Sequence, residues 1–599
     1  MYTDVFSFDV SEKEPDRVIE RDVLIIGAGA AGARAGIELK ENNVDCLVIG
    51  KRGHGDAHTV WAAGGINASL VNRDLEDSWE IHAADTMDEG HHINTPKSVE
   101  LVTKTMPNRI QELNDWGCDF DLHNGKIDQR YFGAQSFRRT CYVGDKTGRA
   151  ILETLVDKAQ EVGVPYEDNI MITKLLSDDS RVYGAVGFDM ENGDLLLFKS
   201  NRVILAAGGY SAVYHRHSSR DLENNGDGVS LAYDAGAKLE NIEFVQFHPT
   251  GMMVSEKYDD WNGRLITEAV RGEGGRLFNS KGERFMKKYS PDQMELDARD
   301  VVARAIDTEI NEGRGTENGG VYLDISHRSE NFIKEKLPRM YERCQNVGID
   351  LSQEPIEVAP TAHYSMGGVK IDPETGESTI ENLHAIGETT SGVHGANRLG
   401  GNSLAETVAL GKIVGEHLSE QEYNTTETPK SVEQKGHKHL GLLSTLSQSQ
   451  TGNITTTELV NRIRTVAEES TGIIRNEEDL KKGRETLLEN VQPLFNNISS
   501  KNDLTSESFE ELIDAVFMYY TTHNIISGAM SRKESRGAHY RSDYPNKDSN
   551  LQKKTTYQLL RERNTLKHSL TFSEPPTKLN PKIQDALDQN YELDYHHLE

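Results

Sequence analysis

Residues 18–49, VIERDVLIIGAGAAGARAGIELKENNVDCLVI, decide the fold. Val18–Ile26 reads as a buried strand. Gly27-Ala28-Gly29-Ala30-Ala31-Gly32 then turns into a helix predicted to run to about Asn42, and Asp45–Ile49 forms the next strand. In such a strand–turn–helix–strand unit, Gly27 permits the tight turn and Gly29 lets the backbone approach a pyrophosphate. Gly32 lets the helix pack closely on the strand, and the diphosphate rests at the positive end of the helix, at Ala30. A Rossmann-like, dinucleotide-binding α/β domain follows. An acidic residue for the ribose hydroxyls is expected at the end of the second strand, but Gly50-Lys51-Arg52 stands there, so the ribose contact is left unassigned.

Outward from this unit, Ala150–Val162 reads as an amphipathic helix. Val182–Met190 and Leu195–Phe198 read as a hairpin turning at Asn192-Gly193. A third strand, Arg202–Ala206, ends in Ala207-Gly208-Gly209, small residues that suit a second close approach to the same cofactor. From about Ile242 to Pro355 the pattern is mixed, polar and rich in charged loops. The strand-and-glycine style returns from Ile356 to about Leu418, so the middle segment reads as an insertion. Residues 422–440 read as a polar linker, and Thr455 to about Asn524 carries helical periodicity.

The chain has 599 residues, enough for two to four domains. No run approaches the roughly 18 apolar residues of a membrane span, so membrane association is expected only through a partner. The net charge of -30, from 96 acidic and 66 basic residues, disfavours nucleic-acid binding. Four scattered cysteines form no C-x-x-C pair, so no zinc or iron–sulfur site is expected and a reducing compartment fits. The acidic N-terminus lacks a signal core or transit-peptide character, which points to the cytoplasm.

Asp56-Ala-His58-Thr59-Val-Trp-Ala-Ala-Gly64-Gly65-Ile-Asn is a glycine-rich loop with one histidine, and an imidazole is a competent nucleophile toward an electrophilic flavin methyl position. This loop resembles the flavin-attachment loop of the succinate dehydrogenase and fumarate reductase flavoprotein subunits, the complex II family. The resemblance continues through Asn225-Gly-Asp227-Gly, Gln246-Phe-His248-Pro-Thr-Gly, Thr267-Glu268, Arg271-Gly-Glu-Gly-Gly and Gly282-Glu-Arg-Phe-Met. It extends through Ala298-Arg299-Asp300-Val-Val, His363-Tyr-Ser-Met-Gly-Gly, His394-Gly-Ala-Asn-Arg398-Leu-Gly-Gly-Asn402-Ser403 and Ser535-Arg-Gly-Ala-His539, covering about residues 18 to 550.

The resemblance implies an FAD-binding domain in two parts (18–242 and 356–420) with an inserted α+β capping domain (243–355). A helical domain (440–530) and a small C-terminal region (531–599) follow. It implies FAD attached covalently through His58 and succinate or fumarate as substrate. His248, Thr267, His363 and Arg398 would hold the carboxylates; Arg398 offers a planar fork for one of them. Hydride would pass between a substrate carbon and flavin N5, with Arg299 moving the proton and Glu268 and Arg271 as its relay. Arginine rarely gives up a proton, so the role needs a cation-crowded site and Glu268 as shuttle. The helix N-terminus at Ser403-Leu404 would face the flavin pyrimidine edge, and Glu388 and Asp227 would contact FAD.

Where relatives read Ala-Gln-Gly-Gly, this chain has Ala62-Ala63-Gly64-Gly65. With no cysteine cluster or span of its own, the chain would pass electrons to an iron–sulfur subunit and, through it, to membrane anchor subunits. It would then sit peripherally on the cytoplasmic face of the membrane. L-aspartate oxidase is the alternative; it generally lacks the attachment histidine.

Overall fold

A computed structural model describes residues 1–7, 10–178, 180–220, 222–423, 427–448, 452–498, 503–562, 565–575, 578–589 and 591. Its centre is a seven-stranded sheet. Tyr166–Glu167, Cys46–Ile49, Arg17–Ile26 and Leu195–Leu205 lie side by side in parallel. Val182–Asp189 and Ile170–Ser177 continue the sheet antiparallel, and Leu383–Ala385 adds a parallel partner at the end of Leu195–Leu205. That last strand lies about 180 residues further along the chain, so the sheet itself draws two distant segments together.

The period-two alternation of Arg17–Ile26 sorts its side chains between two cores. Val23 and Ile25 pack with the helices Ala30–Glu41, Thr147–Val162 and Asn402–Ser419. Leu24 and Ile26 face the other cluster, which reaches the helices Lys430–Gln448, Thr456–Thr471 and Glu507–Ser531. Each fully buried aliphatic side chain there contributes about 1.5–3 kcal/mol.

Residues between Met252 and Val358 build a core of their own. Alongside it runs a four-stranded antiparallel sheet in the order Val245–Met252, Ile356–Ser365, Val321–Asp324, Arg276–Phe278. Among the described residues no helix is long and apolar enough to cross a membrane.

Four local expectations are corrected. The first half of Arg17–Ile26 alternates between half-buried and exposed, with Val18 52% exposed, so only Val23–Ile26 is buried throughout. Leu195–Phe198 and Arg202–Ala206 are one strand, because Lys199 and Ser200 stay paired with Glu20 and Arg21 despite their polarity. The hairpin turns through a wider loop than Asn192-Gly193: Phe188–Leu195 is its last strand pair, and the Asp189 carboxylate accepts from the N–H groups of Glu191 and Asn192. The expected linker is helical from Lys430 onward, because Val432, Gly436, His439 and Leu440 reach the core and outweigh the polar residues between them. Residues 424–426 of that linker lie outside the described residues.

Candidate functional site

One elongated cavity runs from the end of Cys46–Ile49 to the four-stranded sheet. Its first wall is the turn at Gly27, Gly29 and Ala30. A Cβ on Gly27, whose φ is +115°, would stand 2.1 Å from the Ala206 carbonyl oxygen, so only glycine lets this turn cross the neighbouring strand. Gly32 lies off the cavity wall; a Cβ there would meet the Gly27 carbonyl oxygen at 1.9 Å, which is the close helix packing expected of it. Ala207 and Gly208 close this wall from the adjacent strand end.

Two helices open their N-termini onto the cavity, each with a glycine at the cap position that has no side chain to cap it. Ala30–Glu41 begins after Gly29 and Asn402–Ser419 after Gly401, and Gly29, Ala30, Gly401, Ser403 and Leu404 all line it. Backbone N–H groups at a positive dipole end are ready anion positions. One suits a diphosphate, the other the reduced pyrimidine edge of a flavin, so this donor set fits FAD. The Thr59 hydroxyl accepts from Ala30 N–H at 3.2 Å, which ties the His58 loop to the first of these helix ends.

His58 opens the short helix His58–Trp61 on the cavity wall, near Gly64 and Gly65. Its Nδ1 lies 3.8 Å from Glu223 Oε2, and burial holds the imidazole below its usual pKa. A neutral ring of this kind is the nucleophilic form.

At the end of Cys46–Ile49, Lys51 Nζ bonds Asp514 at 2.9 Å and lies 3.5 Å from both Asp227 and Glu510. Asp227 therefore lines the cavity as the partner of a lysine, and the other two carboxylates on that lysine come from the distant helix Glu507–Ser531.

At the opposite end, His248 and Gln246 share one face of Val245–Met252, two residues apart. Thr250 N–H donates to His248 Nδ1 at 3.2 Å, so the ring proton sits on Nε2, which is buried without a partner. The His363 ring is 5.3 Å from that of His248, and its Nδ1 bonds the Ser218 hydroxyl at 2.8 Å. Burial, then neighbouring arginines, push both imidazoles well below their usual pKa.

Arg398 is 2% exposed, lies over the Tyr364 ring at 4.4 Å and leaves Nε without an acceptor. Burial, then Arg299, lower its pKa to about 9. A buried guanidinium with no carboxylate partner among the described residues is costly and invites an anionic ligand. With His248, His363 and Thr267 on the same wall, donors for two carboxylates converge.

Beside them, Glu268 Oε2 accepts from Arg299 Nε at 2.8 Å, and Arg299 Nη2 pairs with the same oxygen at 2.7 Å. Its Oε1 accepts from Gly133 N–H at 2.5 Å, and Arg271 Nη2 stands 3.7 Å from Oε2. Burial opposes its charge, but Arg299 and Arg271 hold the carboxyl down at about 2. Arg299 and Glu268 line the cavity whereas Arg271 stands behind them, fully buried. Glu388 also lines the cavity; Ser365 N–H and hydroxyl donate to it at 3.0 and 2.9 Å, while burial raises it to about 7.

Sequence reasoning gave no role to several groups. Gln246 accepts from Arg299 Nη1 at 3.1 Å and donates to the Arg398 carbonyl at 2.9 Å; its spacing from His248 within one strand was a usable signal. Gly133, Ser218 and Arg343 come from loops and a helix far away in the chain, and no local pattern marks them.

Comparison with known proteins agrees with this geometry. The FAD binding domain family matches residues 22–404, and the fumarate reductase flavoprotein C-terminal family matches 460–590. A Methanothermobacter marburgensis relative named as a component of fumarate reductase (CoM/CoB) is 40% identical over 88% of this chain and 95% of its own length. The succinate dehydrogenase flavoprotein subunit of Rickettsia bellii is 34% identical over 88% and 91%. Among solved structures, a variant of the E. coli quinol fumarate reductase FrdA superposes with a TM-score of 0.86 at 32% identity, covering 94% of this chain and 98% of that one. Mycobacterium smegmatis Sdh1 gives 0.85 at 33%, covering 97% and 100%. The chain belongs to the family of fumarate reductase and succinate dehydrogenase flavoprotein subunits and is an FAD-dependent oxidoreductase.

Proposed function

We propose that this chain interconverts succinate and fumarate, and the observation that carries the reading is the buried Arg398 guanidinium, whose Nε has no acceptor among the described residues, on one cavity wall with the His248 and His363 pair. Arg398 takes one carboxylate through its planar fork, and the His248 Nε2–H, His363 and Thr267 serve the other. The names and similarity of the relatives support a C4 dicarboxylate over an amino acid, and thus this reading over L-aspartate oxidase. When bound, FAD supplies the acceptor and donor of the hydride.

The chain's own residues manage the proton. In fumarate reduction, Arg299 gives a proton to the carbon next to the one that receives hydride, and Glu268 takes up a proton relayed from solvent by way of Arg271 and returns it to Arg299 through the hydrogen bond at Nε. Gln246 and Gly133 hold the two members of this pair in place. Arg299 and Arg271 together keep Glu268 anionic between transfers. In succinate oxidation the same groups run in reverse.

His58 is the attachment point for the flavin, supported by its place on the cavity wall and its lowered pKa. Electrons leave to an iron–sulfur subunit and from there to membrane anchor subunits, which places the chain on the cytoplasmic face of the membrane. The likeness in sequence and fold to proteins named quinol fumarate reductase and succinate dehydrogenase supports this.

The test is succinate-dependent reduction of an artificial dye by the flavin-loaded protein, with L-aspartate as parallel substrate and malonate as competitor. Succinate turnover blocked by malonate supports the reading; turnover of aspartate alone defeats it.

A further inference from the structure

A second guanidinium in the same cavity carries the marks that single out Arg398. Arg343, on the capping-segment helix Pro338–Asn346, lines the cavity and is 8% exposed. Among the described residues its guanidinium forms no ion pair, and its Nη2 is buried without an acceptor. Asp145, the acid nearest in influence, is already engaged by the N–H groups of Arg339 and Met340 at 3.2 and 2.7 Å. Burial, then Arg339, lower the Arg343 pKa to about 10.

The Arg343 guanidinium carbon lies 5.3 Å from the centre of the Trp61 indole, and that of Arg264 lies 5.4 Å from it. Trp61 lines the cavity as well, and its Nε1–H is buried without an acceptor. Two groups in contact on one cavity wall thus each carry a buried donor unmet among the described residues, with a further guanidinium adding positive potential. Burying such donors unpaired costs stability, and a bound anion removes that cost. The planar fork of arginine matches a carboxylate.

We infer that Arg343 and the Trp61 N–H form a second carboxylate site, which takes a dicarboxylate of the class held at Arg398 and stages it at the cap side of the cavity. This rests on the functional reading above. The cofactor has its own anchors, since the helix N-terminus at Gly29 serves its diphosphate and that at Gly401 its pyrimidine edge.

The experiment counts malonate bound per flavin by equilibrium dialysis of the purified flavin-loaded protein in chloride-free buffer. The wild type binds two. Arg343→Gln binds one, and Trp61→Phe keeps two with the weaker loosened roughly tenfold, the size of one lost hydrogen bond to a charged group. Arg398→Gln also binds one. No malonate on the wild type would defeat the functional reading itself. One malonate on the wild type, two on Arg343→Gln, or loss of flavin from Arg343→Gln with both malonates retained would overturn this inference alone.

Discussion

Arg299 meets Glu268 side-on: Nε donates to Oε2 at 2.8 Å, and Nη2 stands 2.7 Å from the same oxygen as an ion pair. The remaining nitrogen, Nη1, donates to Gln246 at 3.1 Å. The pair is fixed on both sides yet lines the cavity, so a proton passing between substrate and Glu268 travels through one guanidinium. Arg299→Lys keeps a positive charge but loses this fork. Single-turnover reoxidation of the reduced flavin by fumarate should slow by at least about 100-fold, the usual worth of a positioned proton donor. Malonate affinity should change only a few-fold. Near-normal reoxidation would remove Arg299 from the proton role.

Glu268→Gln preserves shape and hydrogen bonding but cannot carry a proton. Turnover should fall by about 100-fold or more, while flavin content stays at the wild-type level. A variant retaining a tenth of wild-type kcat would mean that the proton reaches Arg299 by another route.

His58→Ser should leave FAD bound through the two helix N-termini but extractable by acid. Denaturing gel electrophoresis checks this by the fluorescence of the protein band. Flavin that stays with the band would redirect the attachment to another residue.

Burial raises the Glu388 carboxyl to about 7, whereas in an unfolded chain it titrates near ~4.3. The folded protein holds a proton that the unfolded chain has released, so this group's contribution is complete below about pH 4.3 and is lost as pH rises through about 7. Relative to Glu388→Gln, flavin-free wild type should lose on the order of 3 kcal/mol across that window. Urea unfolding of both proteins at several pH values measures it; parallel profiles would contradict the assignment.

Much of this was legible in residues 18–49, because a glycine spacing and two apolar runs specify a local unit with few alternatives. Gly27 and Gly32 act where backbone must pass backbone, and such contacts leave a signature in sequence. Long-range partners leave none. The Lys51 contacts with Asp227 and Asp514 depend on how a distant helix docks, and the Glu268 contact with Gly133 depends on a loop 135 residues away. Lys430–Gln448 was obscured for another reason: its buried face is narrow, and the polar residues around it read as linker.

The central claim is that a C4 dicarboxylate reacts at the flavin through Arg398. Anaerobic addition of succinate to the oxidised flavoprotein tests it most directly, by following loss of the yellow flavin absorbance. The wild type should bleach with succinate and not with L-aspartate. Arg398→Gln, with flavin retained, should need at least about 30-fold more succinate, since losing one partner of a buried charge pair costs 2 kcal/mol or more. Bleaching by aspartate alone, or by succinate at wild-type concentrations in Arg398→Gln, would contradict the account.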